Sequence, residues 1–179
     1  MAGRNLDGRV VTINGLRIAG PGGNFQGAVW HPWQGEPRWP TRADFIAAMG
    51  KGNRPPDGGR LPLKKRGAIW YEDYQALAAQ RADVLVTHEA PGCHPHGFFA
   101  IDELAAAMGA QLIIHGHVHV SYRFDYADRD LRVIGVGQRG VSDANGRVIV
   151  PGDLDGERVP RLIEAHQTDT RLPRGTLTT

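Results

Sequence analysis

Three observations predict an α/β protein. Two short apolar runs, Val84-Leu85-Val86 and Leu112-Ile113-Ile114, have the make-up of strands buried inside a parallel sheet. Each run leads into histidine: Thr87-His88-Glu89-Ala90-Pro91 follows the first, and His115-Gly116-His117-Val118-His119 follows the second. Between them, residues 97–109 combine strong helix formers with apolar side chains at 101, 104, 105 and 108, and stop at Gly109. Strand, helix and strand in that order place both histidine clusters at the carboxyl edge of a sheet, where open α/β sheets bind ligands.

The other elements follow in chain order. Residues 10–13 and 16–19 flank Asn14-Gly15, the strongest short hairpin signal, and Pro21-Gly22-Gly23 then breaks the sheet. Residues 30–66 form a loop-rich excursion containing Trp30, Trp33 and Trp39, with one short helix over 44–49 capped at Thr41. Those tryptophans could wall a substrate groove; partial burial under the loop is the simpler role. Lys64-Lys65-Arg66 could meet phosphate anions, against the plainer reading of a solvated turn. Residues 69–79 predict a helix whose Trp70, Tyr74, Leu77 and Ala78 face the core. After the histidines, 121–126 and 131–136 pattern as a hairpin, and a further strand near 147–150 follows Asn145-Gly146. Residues 1–166 are expected to make one domain, and 167–179, rich in Thr, Arg and Pro, a frayed tail.

The chemistry concentrates at the histidines. In an extended backbone His117 and His119 project to one face, about 7 Å apart at Cβ. Neutral imidazole is the commonest protein metal ligand, and Gly116 leaves room for a metal or its substrate to approach. A lone His-x-His also occurs on surface hairpins without metal; His88 at the end of a neighbouring strand favours the metal reading. His115 reads as a buried imidazole or one that supports the ligands. His94 and His96, in the turn beside His88, either line a substrate phosphate or are simple loop residues. His31 and His166 carry no pattern, and Cys93 fits a small buried thiol better than a ligand.

Thr87-His88-Glu89-Ala90-Pro91 followed by Gly116-His117-Val118-His119 resembles the C-terminal motif pair of the calcineurin-like metallophosphoesterases, over residues 8–140. The resemblance implies a β-sandwich flanked by helices, a four-layer αββα fold. It implies hydrolysis of a phosphomonoester or phosphodiester by metal-activated water. It also implies that His88 and His117 bind one divalent metal and His119 the other, with Mn, Fe, Zn or Ni as the ion. The family's first-half motifs do not match. There is no Asp-x-His, and Gly23-Asn24-Phe25 and Gly52-Asn53-Arg54 carry Phe25 and Arg54 where the catalytic His belongs, so no catalytic residue is assigned. Gly152-Asp153-Leu154-Asp155 has the wrong spacing for the bridging-Asp motif. The chain is therefore expected to be the C-terminal portion of such a fold, N-terminally truncated. It should hold at most one metal and be weakly active or inactive unless a separately encoded N-terminal half joins it. A non-catalytic remnant or single-metal binding module of the same fold is the alternative.

Composition narrows the partners. A formal charge of +2 is too small for a nucleic-acid footprint. The single cysteine excludes an internal disulfide and suits a reducing compartment. No apolar run approaches the roughly 18 residues of a membrane span, and no signal peptide opens the chain, so the cytoplasm is the default expectation. A phosphate ester is the expected substrate. Unpaired sheet edges in a truncated fold predict self-association.

Overall fold

The computed structural model describes residues 5–50 and 61–179. Their strands are β1 (Arg9–Ile13), β2 (Leu16–Gly20), β3 (Val84–Thr87), β4 (Leu112–His115), β5 (Tyr122–Tyr126), β6 (Arg132–Gly135), β7 (Val141–Ser142), β8 (Val148–Val150) and β9 (Gly175–Thr178). Helices are α1 (Arg42–Ala48), α2 (Leu63–Arg66), α3 (Tyr71–Ala78), α4 (Phe99–Met108) and α5 (Asp155–Thr168). A seven-stranded sheet runs β1-β2-β3-β4-β6-β5-β9, and β7 pairs with β8 separately. Strands β2, β3, β4 and β6 are mutually parallel, while β1 pairs antiparallel with β2, and β5 pairs antiparallel with β6 and β9. The fold class is thus mixed α/β, with a large sheet flanked by helices.

Local chemistry explains the elements. Asn14 and Gly15 take φ of 51° and 82°, the left-handed pair that a tight hairpin turn needs between β1 and β2. Thr41 accepts the Asp44 N–H at 3.1 Å and starts α1. Gly109 closes α4 in the left-handed conformation at φ 71°. The crossover β3–α4–β4 brings the two apolar runs into register, with Leu85 opposite Ile113 and Thr87 opposite His115.

Alternation along the strands separates the two faces of the sheet. Leu85, Ile113, Val133 and Phe124 point to one face and are fully buried with Leu77, Ile101, Leu104 and Met108 from α3 and α4. Helix α5 lies on that same face, because His166 packs on Phe124 at 5.1 Å between ring centroids. On the opposite face Arg123 donates to the Asn145 carbonyl at 3.1 Å, which sets the β7–β8 hairpin there. No helix among the described residues is long and apolar enough to cross a membrane.

Three expectations need correction. First, β4 ends at His115, and His117 and His119 do not continue a strand. Both have left-handed backbones, φ 59° and 52°, and Val118 N–H turns back to the Gly116 carbonyl at 2.7 Å. Alternation of side chains applies only to extended backbone, so the shared-face geometry expected for this pair does not hold. Second, the segment beyond 166 is not a frayed tail. Helix α5 runs to Thr168, and β9 pairs with β5 along Arg123–Tyr126, with Leu177 opposite Phe124. Third, α5 was unanticipated, since Gly156 and Pro160 both argue against a helix. Pro160 is the sixth residue of α5, beyond the four N–H groups that lack intrahelical partners, so it removes one helix hydrogen bond. Gly52-Asn53-Arg54 lies outside the described residues.

The turn entering α4 is tightly specified. An added Cβ at Gly97 would fall 1.7 Å from the Pro91 carbonyl oxygen, whereas one at Gly116 would meet nothing within 4 Å. Gly97→Ala should therefore cost about 3 kcal/mol or more, while Gly116→Ala stays within about 0.5 kcal/mol of the parent in urea unfolding. Equal stability of the two variants would contradict this packing of the 91–97 turn.

Candidate functional site

The site forms where β3 and β4 end side by side. Thr87 and His115 are paired, so the turn beginning at His88 and the loop beginning at Gly116 leave the sheet together. The rings of His88 and His117 meet there, with 4.5 Å between centroids and 2.7 Å between His88 Nε2 and His117 Nδ1. His119 lines the same shallow depression as His117, together with Thr87, Gly116 and Gln138. Of the expected trio, two imidazoles therefore touch and the third shares their surface. Among the described residues no group of three His, Cys, Asp or Glu side chains is drawn together as a metal-holding set. The left-handed turns at 117 and 119 explain why the trio is not assembled as an extended strand would assemble it.

Glu89 is the site residue that motif reading passed over. Its side chain is buried, Oε1 accepts the Phe25 N–H at 3.0 Å, and Oε2 lies 3.9 Å from His117 Nε2. One carboxylate thus fastens the Gly23-Asn24-Phe25 segment beneath the His88 turn and faces His117. The neighbouring Thr87 hydroxyl donates to the Glu89 carbonyl at 2.6 Å, which tightens the turn further. Burial lowers the His88 pKa, and the neighbouring His117 lowers it again; the Glu89 charge opposes both.

Beneath the loop lies a buried polar network. His115 Nδ1 is 3.0 Å from the Gly116 carbonyl, which can only accept, so the proton sits on Nδ1. Nε2 then accepts from the Tyr122 hydroxyl at 2.7 Å, leaving the Cys93 thiol, 3.7 Å from that hydroxyl, as the donor to its oxygen. Burial holds the His115 pKa down at about 4, in keeping with a neutral ring. Burial likewise pushes the Cys93 thiol and the Tyr122 hydroxyl up. His115 is therefore buried beneath the loop and holds the Gly116 carbonyl. Asp102 accepts from Gly92 N–H at 2.6 Å and from the Tyr126 hydroxyl, tying α4 to the 91–97 turn.

The remaining candidates divide. His94 is buried, His96 is exposed, and both line a groove of about 590 Å3 that reaches His117. Trp30 is buried against Tyr71 and Tyr74, whereas Trp33 is 61% exposed and rests on Phe98. Lys65 donates to the Gln26 side chain at 3.2 Å.

Burial depresses the His94 pKa to about 3, with smaller contributions from His115, His96, His166 and Arg158. The unfolded chain takes up this proton near pH 6.5, and the folded chain does not take it up until about pH 3. Folding stability is therefore intact above pH 6.5 and lost as pH falls toward 3, at up to about 1.4 kcal/mol per pH unit. Urea unfolding between pH 7 and pH 4 should show this slope, reduced in His94→Gln. An unchanged slope in that variant would contradict the neutral buried ring.

No protein-family profile matches the chain. Among solved structures it is similar to GAP50, the anchor in the inner membrane complex of Plasmodium. Identity there is 12%, the TM-score is 0.32, and the match spans 82% of this chain and 43% of that one, too slight a likeness to carry weight. An uncharacterized protein of Haemophilus influenzae (strain ATCC 51907 / DSM 11121 / KW20 / Rd) is 39% identical over 161 residues, covering 87% of this chain and 67% of the relative. The chain belongs to the same family as that Haemophilus protein.

Proposed function

We propose that the chain carries the histidine half of a metal-dependent phosphoesterase site of the calcineurin-like type, with His88 and His117 as ligands to one divalent ion and His119 beside them. On this reading the seven-stranded sheet is one of the two packed sheets of a four-layer αββα fold. The observation that carries the proposal is the meeting of the His88 and His117 rings at the carboxyl ends of adjacent parallel strands.

The donors fit an imidazole-bound ion. Two nitrogens bound to a tetrahedral zinc-class cation at about 2.0–2.1 Å stand about 3.3 Å apart, and these stand at 2.7 Å. The rings need to part by about 0.6 Å to pass from a hydrogen-bonded pair to a ligand pair. Glu89 approaches the other ring nitrogen of His117, as carboxylates do when they orient a metal-binding histidine. Manganese, iron, zinc and nickel all suit imidazole-rich sites. A divalent ion would supply the Lewis acidity that activates water and neutralises phosphoryl oxygens. The chain's own part is to hold the ligand rings rigidly over a buried network and to leave the open surface at Gly116 for the ester.

Two histidines with one neighbour do not keep two cations together against their repulsion, so a single ion and slow turnover are expected. Calorimetric titration of the chelator-stripped chain with Ni2+ or Zn2+ should give about one equivalent. His88→Ala and His117→Ala should each weaken binding about tenfold or more. Turnover of bis(4-nitrophenyl) phosphate should be weak or absent. Unchanged affinity in both variants would remove the pair from any metal site, and brisk metal-dependent turnover would contradict the single-ion account.

A further inference from the structure

The groove that ends at His117 lies between the 94–96 turn and α5 and contains the cationic side chain of Arg158. Arg158 is half-buried there, and its guanidinium donates to the Val118 carbonyl at 2.6 Å. That carbonyl belongs to the residue next to His117, so the anchor fixes the guanidinium beside the histidine loop. Among the described residues no carboxylate pairs with Arg158, although a guanidinium has five N–H donors. Arg161, one turn along α5, is by contrast exposed and paired with Glu157 at 2.9 Å. A positive charge held in place without a carboxylate favours an incoming anion.

Glu157 also lines the groove, where Arg161 pairs with its charge, and the remaining lining suits an organic phosphate. His94 Nδ1 accepts the His96 N–H at 3.1 Å, so the neutral ring carries its proton on Nε2 and has a second uncharged donor to offer. Val120, Leu162 and Ala165 supply an apolar floor for a carbon skeleton. The volume of about 590 Å3 lies in the usual range for small-molecule sites. The helix that walls the groove is firmly seated: the Asp155 carboxylate, at the start of α5, accepts Ser121 N–H at 2.8 Å and Gly152 N–H at 2.6 Å. This ties the helix to the end of the histidine loop.

We propose that this groove is an anion subsite, in which Arg158 binds a second phosphate of a substrate whose scissile phosphate meets His117. The substrate class is then an organic compound with two phosphate groups joined through a small carbon unit that lies on the apolar floor. The scissile half of this assignment rests on the phosphoesterase reading; anion binding by the groove does not.

The test is an amide NMR titration of the whole chain with phenyl phosphate, in excess chelator so that no metal takes part. Saturable shifts are expected at Val118, Val120 and Ala165. Arg158→Gln should weaken binding about tenfold or more, and Arg158→Lys, which keeps the charge, by no more than about threefold. His117→Ala should stay within about twofold under chelator, so loss of the metal reading would leave this result standing. Absence of saturable shifts, parental affinity in Arg158→Gln, or loss of binding in His117→Ala would each overturn the subsite. So would an Arg158→Lys variant that folds with the parental spectrum and binds as weakly as Arg158→Gln, since the guanidinium would then serve only to hold Val118.

Discussion

The parallel register of β3 and β4 is the constraint on which the site depends. Because Thr87 stands opposite His115, two turns leave the sheet at the same height and one strand spacing apart. The proposed metal site is built on those two exits: His88 and Glu89 on one, Gly116 to His119 on the other. A one-residue slip would turn Leu85 and Ile113 out of the core and His115 out of its buried network, so the hydrophobic face fixes the register firmly. The core thereby determines the site geometry, and neither histidine has to be placed by a long-range polar contact of its own.

Two polar systems then stiffen the exits. Below the Gly116 loop, Cys93, Tyr122 and His115 form a donor chain that ends on the Gly116 carbonyl. Below the His88 turn, Glu89 binds Phe25 N–H and Asp102 binds Gly92 N–H. Groups of this kind are costly to leave unsatisfied when buried, so each network permits few alternative loop conformations. The left-handed backbones at His117 and His119 fit this picture. Strained conformations persist where the surroundings over-determine them, and such places are often ligand sites.

Much of the architecture was legible in the sequence because it is locally encoded. Asn14-Gly15 specifies its hairpin, Gly109 stops α4, and Thr41 caps α1, each through a residue whose conformation or side chain acts on its own neighbours. The apolar runs at 84–86 and 112–114 specified buried parallel strands, and the crossover helix between them set their pairing. What could not be read depends on distant partners. Strand β9 is short and mostly polar, and it exists because Leu177 pairs across from Phe124. Helix α5 contains Gly156 and Pro160 and is held by Asp155 and Leu162 rather than by propensity. Of the candidate site, the pairing of His88 with His117 followed from strand order, but the position of His119 did not. Alternation assumes an extended chain, and nothing in Gly116-His117-Val118-His119 announces two left-handed residues. Glu89 was in plain view within its motif; only its burial against Phe25 and its approach to His117 reveal its role.

The rings of residues 88 and 117 meet in the folded chain before any ligand arrives. Their meeting can be tested directly with histidine-labelled protein in chelator, by looking for cross-relaxation between the ring protons of the two residues. With centroids 4.5 Å apart, clear ring-to-ring cross-peaks are predicted alongside those that report the Thr87–His115 strand pairing. Strand cross-peaks without any between the two rings would contradict the account, because the sheet would then be present and the site it is said to build would not.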